Sequence, residues 1–191
     1  MKAYHGKEES AESLYVRYSP ALLSVCLRYC GNLADAEDVL HDGFIKIIRN
    51  LPKFRPGPQG SLEAWMRRIM VNTSLNHIRD HAKERKFLDI DPISERINND
   101  EPEETSFDEL AGKVNPDKVM ELICELPTGY RTVFNMYVFE SYSHREIAHF
   151  LNCSENTSKS QLSKARGILR KELDHFYCKQ VESDEKATRQ S

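Results

Sequence analysis

A chain of 191 residues has room for one domain or two small ones, and its 39% hydrophobic and 30% charged residues describe a water-compatible protein with enough apolar material for compact cores. No apolar run approaches the ~20 residues needed to cross a bilayer, and the N-terminal MKAYHGKEESAES lacks the apolar stretch of a signal peptide, so a cytoplasmic location without direct membrane insertion is expected. The net charge of -3 excludes a uniformly basic nucleic-acid binder but not one whose basic residues are segregated.

From Ser10 to Ala82 apolar residues recur at helical intervals. Leu14, Tyr18, Leu22, Val25 and Tyr29 form one stripe, and Ala36, Val39, Leu40, Phe44, Ile47 and Leu51 form the next, with Gly31 and Asn32 at the junction. The segment PKFRPGPQGS, Pro52 to Ser61, breaks the second helix with three prolines and two glycines. Helix resumes after Ser61, a suitable N-cap, with Leu62, Trp65, Met66 and Ile69 on one side; Trp65 is expected in the core. Residues 10–83 therefore read as an N-terminal helical domain.

Between Glu84 and Asn115 the periodicity fades, and acids including Asp89, Asp91, Glu95, Asp100, Glu101, Glu103 and Glu104 gather around Pro92 and Pro102. That composition suits a flexible linker over 84–115. Much of the chain's acidity lies there, so the flanking domains are less acidic than the total. Asn115 and Pro116 read as an N-cap and first helical position, opening a second helical domain over 116–178. The tail 179–191, QVESDEKATRQS after Lys179, reads as disordered. No stretch alternates as a strand would, so the expected fold is all-α, two small helical domains on a flexible acidic linker.

The five cysteines, Cys26, Cys30, Cys124, Cys153 and Cys178, are odd in number and lack paired CxxC spacings, which points to reduced thiols rather than a disulfide framework or zinc site. Cys26 and Cys30 sit one turn apart in an apolar stripe and read as core packing rather than a metal or redox pair.

The densest local signal is SYSHREIAHFLNCSENTSKSQLSKARGILRKEL, Ser141 to Leu173. Ser143 and Glu146 form an S-x-x-E capping box opening a helix through Ile147, Ala148 and Leu151. Asn152 and Cys153 make a tight turn, and Ser154 can cap the following helix. Two helices joined this way resemble the DNA-binding helix-turn-helix. On the second, Glu155, Asn156, Lys159, Ser160 and Ser163 share a polar face, while Leu162, Ala165 and Leu169 share an apolar one. Lys159, Lys164, Arg166, Arg170 and Lys171 make its flank basic. A recognition helix needs such a face toward base edges and such a flank toward phosphates; the plainer alternative is an amphipathic hairpin with a solvated basic side.

In the helix after Ser61, Arg68, Asn72, Asn76 and Arg79 are spaced by four, four and three residues along one polar edge able to lie on DNA. Phe54 and Arg55 in the preceding loop offer an aromatic and a guanidinium face to an unstacked base, although a loop phenylalanine is more often an anchor. In DAEDVLHDGFIKIIRNL, the acids Asp35, Glu37 and Asp38 suit a helix N-terminus without further explanation, while His41 and Asp42 beside an apolar ridge suit a partner surface.

Together these segments resemble the extracytoplasmic-function (ECF) group of RNA polymerase sigma factors, two-domain members of the sigma superfamily. DAEDVLHDGFIKI resembles the region that docks on the clamp helices of the polymerase large subunit, Leu62 to Asp80 the minus-ten recognition and melting region, and Leu126 to Leu173 the minus-thirty-five reader. The resemblance implies that Asp38, Val39, His41, Asp42 and Phe44 lie at or beneath the core-polymerase surface. It implies that Phe54, Arg55, Asn72 and Asn76 handle the minus-ten strand. Ser154, Glu155, Asn156, Thr157, Ser158, Lys159 and Ser160, with Lys164 and Arg166, would engage the upstream element. His41 stands where the family often has glutamine, Ser158 where it often has valine and Gln161 where it often has arginine; the last two put base preference in doubt.

The implied partners are core RNA polymerase, promoter DNA and an anti-sigma factor. No cofactor, metal or catalysis by the chain is expected, since no metal-binding carboxylate cluster, nucleophile triad or phosphate-cradling glycine loop is present in the sequence. A stand-alone helix-turn-helix regulator is the rival reading; it explains the C-terminal half and leaves the N-terminal patterns unused.

Overall fold

The computed structural model describes residues 10–55, 61–82 and 107–188, all helices and short connections without a strand among them. The chain divides into two units, Met1–Lys86 and Phe87–Ser191. The expected acidic linker is largely outside the described residues, as is the middle of the Pro52–Ser61 break.

In the first unit, helix α1 spans Ala11–Cys30, α2 spans Leu33–Asn50 and α3 spans Leu62–Ala82, each packing on the other two. Their ends follow local chemistry. The Ser10 hydroxyl accepts from the Ser13 amide at 3.1 Å, and α1 stops at Gly31, whose φ of 79° costs glycine nothing. Asn32 caps α2 by accepting from the Asp35 amide at 2.9 Å. Pro20 sits within α1 on its exposed side, where the carbonyl it leaves without an intrahelical donor remains open to water.

The core of this unit joins Leu14, Leu22, Val25, Cys26 and Tyr29 to Val39, Leu40, Phe44 and Ile47, and to Met66, Met70 and Val71. A glycine inside α2 costs roughly 0.5–1 kcal/mol of helix propensity relative to alanine. Gly43 has a packing reason to be there, because a Cβ at that position would run into the Met70 sulfur. Close approach of α2 and α3 thus couples the helix carrying the candidate docking acids to the helix carrying the polar edge.

None of the five cysteines forms a disulfide. Cys26 is fully buried, and burial pushes its thiol up to about 11. Cys178 is exposed. Brief iodoacetamide treatment of the native protein should therefore label Cys178 and spare Cys26 and Cys30 until denaturant is added, as read by peptide mass spectrometry. Native labelling of Cys26 at the rate of Cys178 would contradict the core-packing role.

In the second unit, α4 (Phe107–Ala111), α5 (Pro116–Glu125), α6 (Thr128–Phe134) and α7 (His144–Leu151) all precede the long α8 (Glu155–Thr188), and a π-helical turn, Asn135–Phe139, follows α6. Leu122, Ile123, Leu126, Val133, Phe134, Met136, Ile147, Leu162, Ala165, Leu169 and Leu173 form the core. The turn between α5 and α6 is tied by Arg131, whose guanidinium donates to the carbonyls of Cys124 and Leu126 at 2.8 Å each. A cation there satisfies carbonyls that the end of α5 leaves open.

Two domain boundaries differ from expectation. The last part of the anticipated linker is helix α4, with Leu110 and Val114 buried and Phe107 edge-on to Phe134 at 5.4 Å. Its acidic composition hid two core residues spaced four apart. The anticipated disordered tail is helical as far as Thr188, since nothing between Lys179 and Thr188 is glycine or proline and α8 simply propagates. Trp65 and Ile69 are half-buried rather than core residues.

Candidate nucleic-acid interface

The helix-turn-helix is built as the sequence predicts. Ser143 and Glu146 complete both halves of the capping box: the Ser143 hydroxyl accepts from the Glu146 amide at 3.3 Å, and the Ser143 amide donates to the Glu146 carboxylate at 2.8 Å. The Ser143 hydroxyl, which also donates to that carboxylate at 2.7 Å, and the Ser143 amide together hold the Glu146 carboxyl below its ordinary value. Asn152 turns the chain with a φ of 52°, a left-handed conformation asparagine tolerates. The Ser154 hydroxyl then accepts from the Thr157 amide at 3.0 Å and starts α8.

On α8, Ser154, Glu155, Asn156, Lys159, Ser160 and Arg166 are exposed, and Thr157 and Lys164 half-buried, so most of the candidate recognition face is available to a duplex. Ser158 is the exception. Its side chain is 0% exposed and its hydroxyl is hydrogen-bonded to Nδ1 of His144 at 2.9 Å, on the flank of α8 that packs against α7. Counting Ser158 as a DNA-binding residue is therefore corrected: two positions after Asn156 the helix has turned about 200°. Its departure from the family's valine falls at a buried position between α8 and α7, where the side chain itself does not face a duplex.

In α3, Arg68, Asn72, Asn76 and Arg79 are all exposed, forming the expected continuous edge. Phe54 is half-buried, its ring 4.9 Å from that of Trp65, which makes it an anchor of the loop. The Arg55 guanidinium folds back to donate to the carbonyls of Pro52 and Phe54 at 2.9 and 2.8 Å. Arg55 thus ties residues 52–55 together and Phe54 packs on the first turn of α3, leaving only the exposed remainder of the Phe54 ring open to a base.

On α2, Asp38, His41 and Asp42 are exposed, whereas Val39 and Phe44 lie beneath them in the core. Phe44 contacts the Tyr15 ring at 4.7 Å, and the same tyrosine lies parallel to His41 at 6.2 Å. The stripe continues through two apolar residues that the sequence pattern did not single out, Ile45 and Ile48, which are 47% and 42% exposed. Their spacing from Asp42, three and six residues, was the available signal. Among the described residues no group of three or more His, Cys, Asp or Glu side chains is placed to hold a metal ion, and no helix is long and apolar enough to cross a membrane.

Residues 14–84 match the family model of Sigma-70 region 2, and residues 117–169 match that of Sigma-70, region 4. The chain is similar to the RNA polymerase sigma-H factor of Pseudomonas aeruginosa, with 26% identity over 183 residues covering 90% of each protein. It is also similar to the ECF RNA polymerase sigma-E factor of Escherichia coli, with 28% identity over 171 residues, 84% of this chain and 85% of that one. A solved sigma factor RpoE in complex with the anti-sigma factor NepR from Bartonella quintana aligns over 85% of this chain and 94% of its own, at 20% identity and a TM-score of 0.46. A stand-alone helix-turn-helix regulator has no use for the N-terminal match. With region 2 and region 4 in order and together spanning more than half its length, the chain belongs to the sigma-70 family of RNA polymerase sigma factors, as a two-domain member of the ECF type that serves promoter-specific transcription initiation.

Proposed function

We propose that this sigma factor divides its work among three surfaces: α2 docks on core RNA polymerase through Asp38, His41 and Asp42, α3 holds the minus-ten strand along Arg68, Asn72, Asn76 and Arg79, and α8 reads the minus-thirty-five duplex through Asn156, Lys159 and Ser160 with Lys164 and Arg166 on phosphate. The observation that carries this reading is that each set lies along one side of its own helix and is exposed there, with Lys164 alone among them half-buried. Neutral amides on α3 suit base edges of a separated strand, while the ammonium groups on α8 suit a duplex, whose phosphates dominate affinity. The chain itself catalyses nothing in this scheme: phosphodiester synthesis stays with the polymerase. It acts in the cytoplasm, and an anti-sigma factor that covers these surfaces is the expected regulator.

Reconstituted transcription tests it. Purified chain plus core polymerase on fragmented genomic DNA should start transcripts at a small set of sites sharing two upstream elements, and core alone should not. Because the basic surface is modest on a chain of net charge -3, the isolated protein should bind the same fragments weakly at physiological salt. Tight specific binding without polymerase, and no specific transcripts with it, would return the stand-alone regulator.

A further inference from the structure

His144 occupies the first position of α7, immediately after the Ser143 cap, and has no part in the surfaces assigned above. Its ring is packed from two elements, α8 and the π turn. Nδ1 shares the 2.9 Å hydrogen bond with the buried Ser158 hydroxyl of α8. The ring lies 4.7 Å from that of Tyr137, from the π turn, at an interplanar angle of 23°. The guanidinium of Arg166, about two turns beyond Ser158 on α8, sits 5.8 Å from the Tyr137 ring centroid. A buried hydroxyl without a partner is costly, and the hydrogen bond to His144 satisfies the Ser158 hydroxyl from the neighbouring helix. Ser158 lies between Asn156 and Lys159 in sequence, and each residue of a helix turns about 100°. Its anchoring direction therefore dictates where those two side chains point.

We propose that His144 is a positioning residue for promoter reading: through Ser158 and Tyr137 it fixes the rotation of α8 against α7, and with it the aim of Asn156, Lys159 and Ser160. This inference rests on α8 being the duplex-reading helix.

The groups facing the ring are Tyr137 from the π turn and Glu155, Ser158, Lys159 and Arg166 from α8, with Arg145 and Glu146 next to it on α7. Burial disfavours charge on the ring, Lys159 and Arg166 add to that, and Glu155 opposes them, so His144 titrates below its ordinary value. The folded state thus takes up this proton less readily than the unfolded chain. Above about pH 6.5 the ring is neutral in both states and contributes no pH dependence. As pH falls below that value the unfolded chain gains the proton first, and stability declines until the folded-state pKa is passed.

The test uses reconstituted holoenzyme and a duplex promoter that the wild-type holoenzyme selects from a random-sequence pool. His144→Ala should weaken closed-complex formation roughly five- to tenfold, with the opening rate of the complexes that do form unchanged. His144→Gln, which keeps a hydrogen-bonding partner for Ser158, should recover most of the loss. Ser158→Val in the His144→Ala background should recover it too, because removing both polar partners is far milder than removing one. The thermal midpoint of the free protein should fall between pH 7 and pH 5.5 more in wild type than in His144→Gln. Lys159→Ala separates the two ideas. If it weakens closed complexes while His144→Ala does not, the positioning role is overturned and duplex reading by α8 stands. If neither variant affects closed complexes, the duplex-reading assignment falls and the inference with it. Failure of both Gln and Val rescues, with a full loss in His144→Ala, would also overturn the Ser158 route.

Discussion

Reversing both acids, Asp38→Lys with Asp42→Lys, is expected to weaken assembly with core RNA polymerase by roughly 100-fold, taking about tenfold per 1.4 kcal/mol and one such step per reversed charge. Both carboxylates are exposed on one edge of α2, four residues apart. Neither makes an ion pair or side-chain hydrogen bond among the described residues. Two like charges at that spacing cost a helix a few tenths of a kcal/mol, which offsets what Asp38 gains near the N-terminal end of α2, whereas a basic partner gains from both. The exposed Ile45 and Ile48 beside them supply the apolar part of such an interface. Since the acids have no internal partner to give up, far-ultraviolet circular dichroism and thermal midpoint should stay near wild type while fluorescence-monitored titration of core polymerase shifts. Asp38→Asn with Asp42→Asn should fall between. Normal assembly of the lysine variant at physiological salt would remove α2 from the docking surface.

Much of this was legible in the sequence because the deciding signals are local. The S-x-x-E box, Asn152 followed by a serine cap, and Asn115–Pro116 each fix a helix end within a few residues, and the structure keeps all three. The 3.6-residue period found the stripes on α2 and α3 for the same reason. What escaped was non-local. Leu110 and Val114 sit in an acidic stretch too short to show a period, and only packing against the second unit's core reveals them. Ser158 shares its chemistry with the serines that face solvent at 160 and 163, and nothing along the chain says that a histidine fourteen residues earlier will bury it. Arg131 drew no reading from the sequence, and its guanidinium closes the turn after α5. In each case the deciding partner lies on another element, where residue type alone does not reach.

The division of labour between α3 and α8 predicts opposite rescue by the template. Lys159 is exposed on the reading helix and Lys164 half-buried at its edge, so Lys159→Ala with Lys164→Ala should weaken closed complexes and reduce the dependence of log affinity on log salt by about 0.9 for each phosphate no longer neutralised. Asn72 and Asn76 are exposed on α3, beside Arg68 and Arg79. Replacing both with alanine should leave closed complexes and salt slope near wild type and slow opening by roughly 10- to 100-fold, because unstacking and holding a base costs a few kcal/mol that these amides help to offset. Phe54 is the poorer probe, since its ring also packs on Trp65 and its removal would disturb the start of α3. A template already melted across the minus-ten element removes most of the opening cost. It should restore the asparagine variant to within a few-fold of wild type and leave the lysine variant defective, because the upstream element stays duplex. Gel shifts at low temperature score the closed complex, and permanganate reactivity of unpaired thymines scores the open one on the same DNA. Equal rescue of the two variants, or a melting defect confined to the lysine variant, would mean that strand holding and duplex reading are not separated between α3 and α8 in this way.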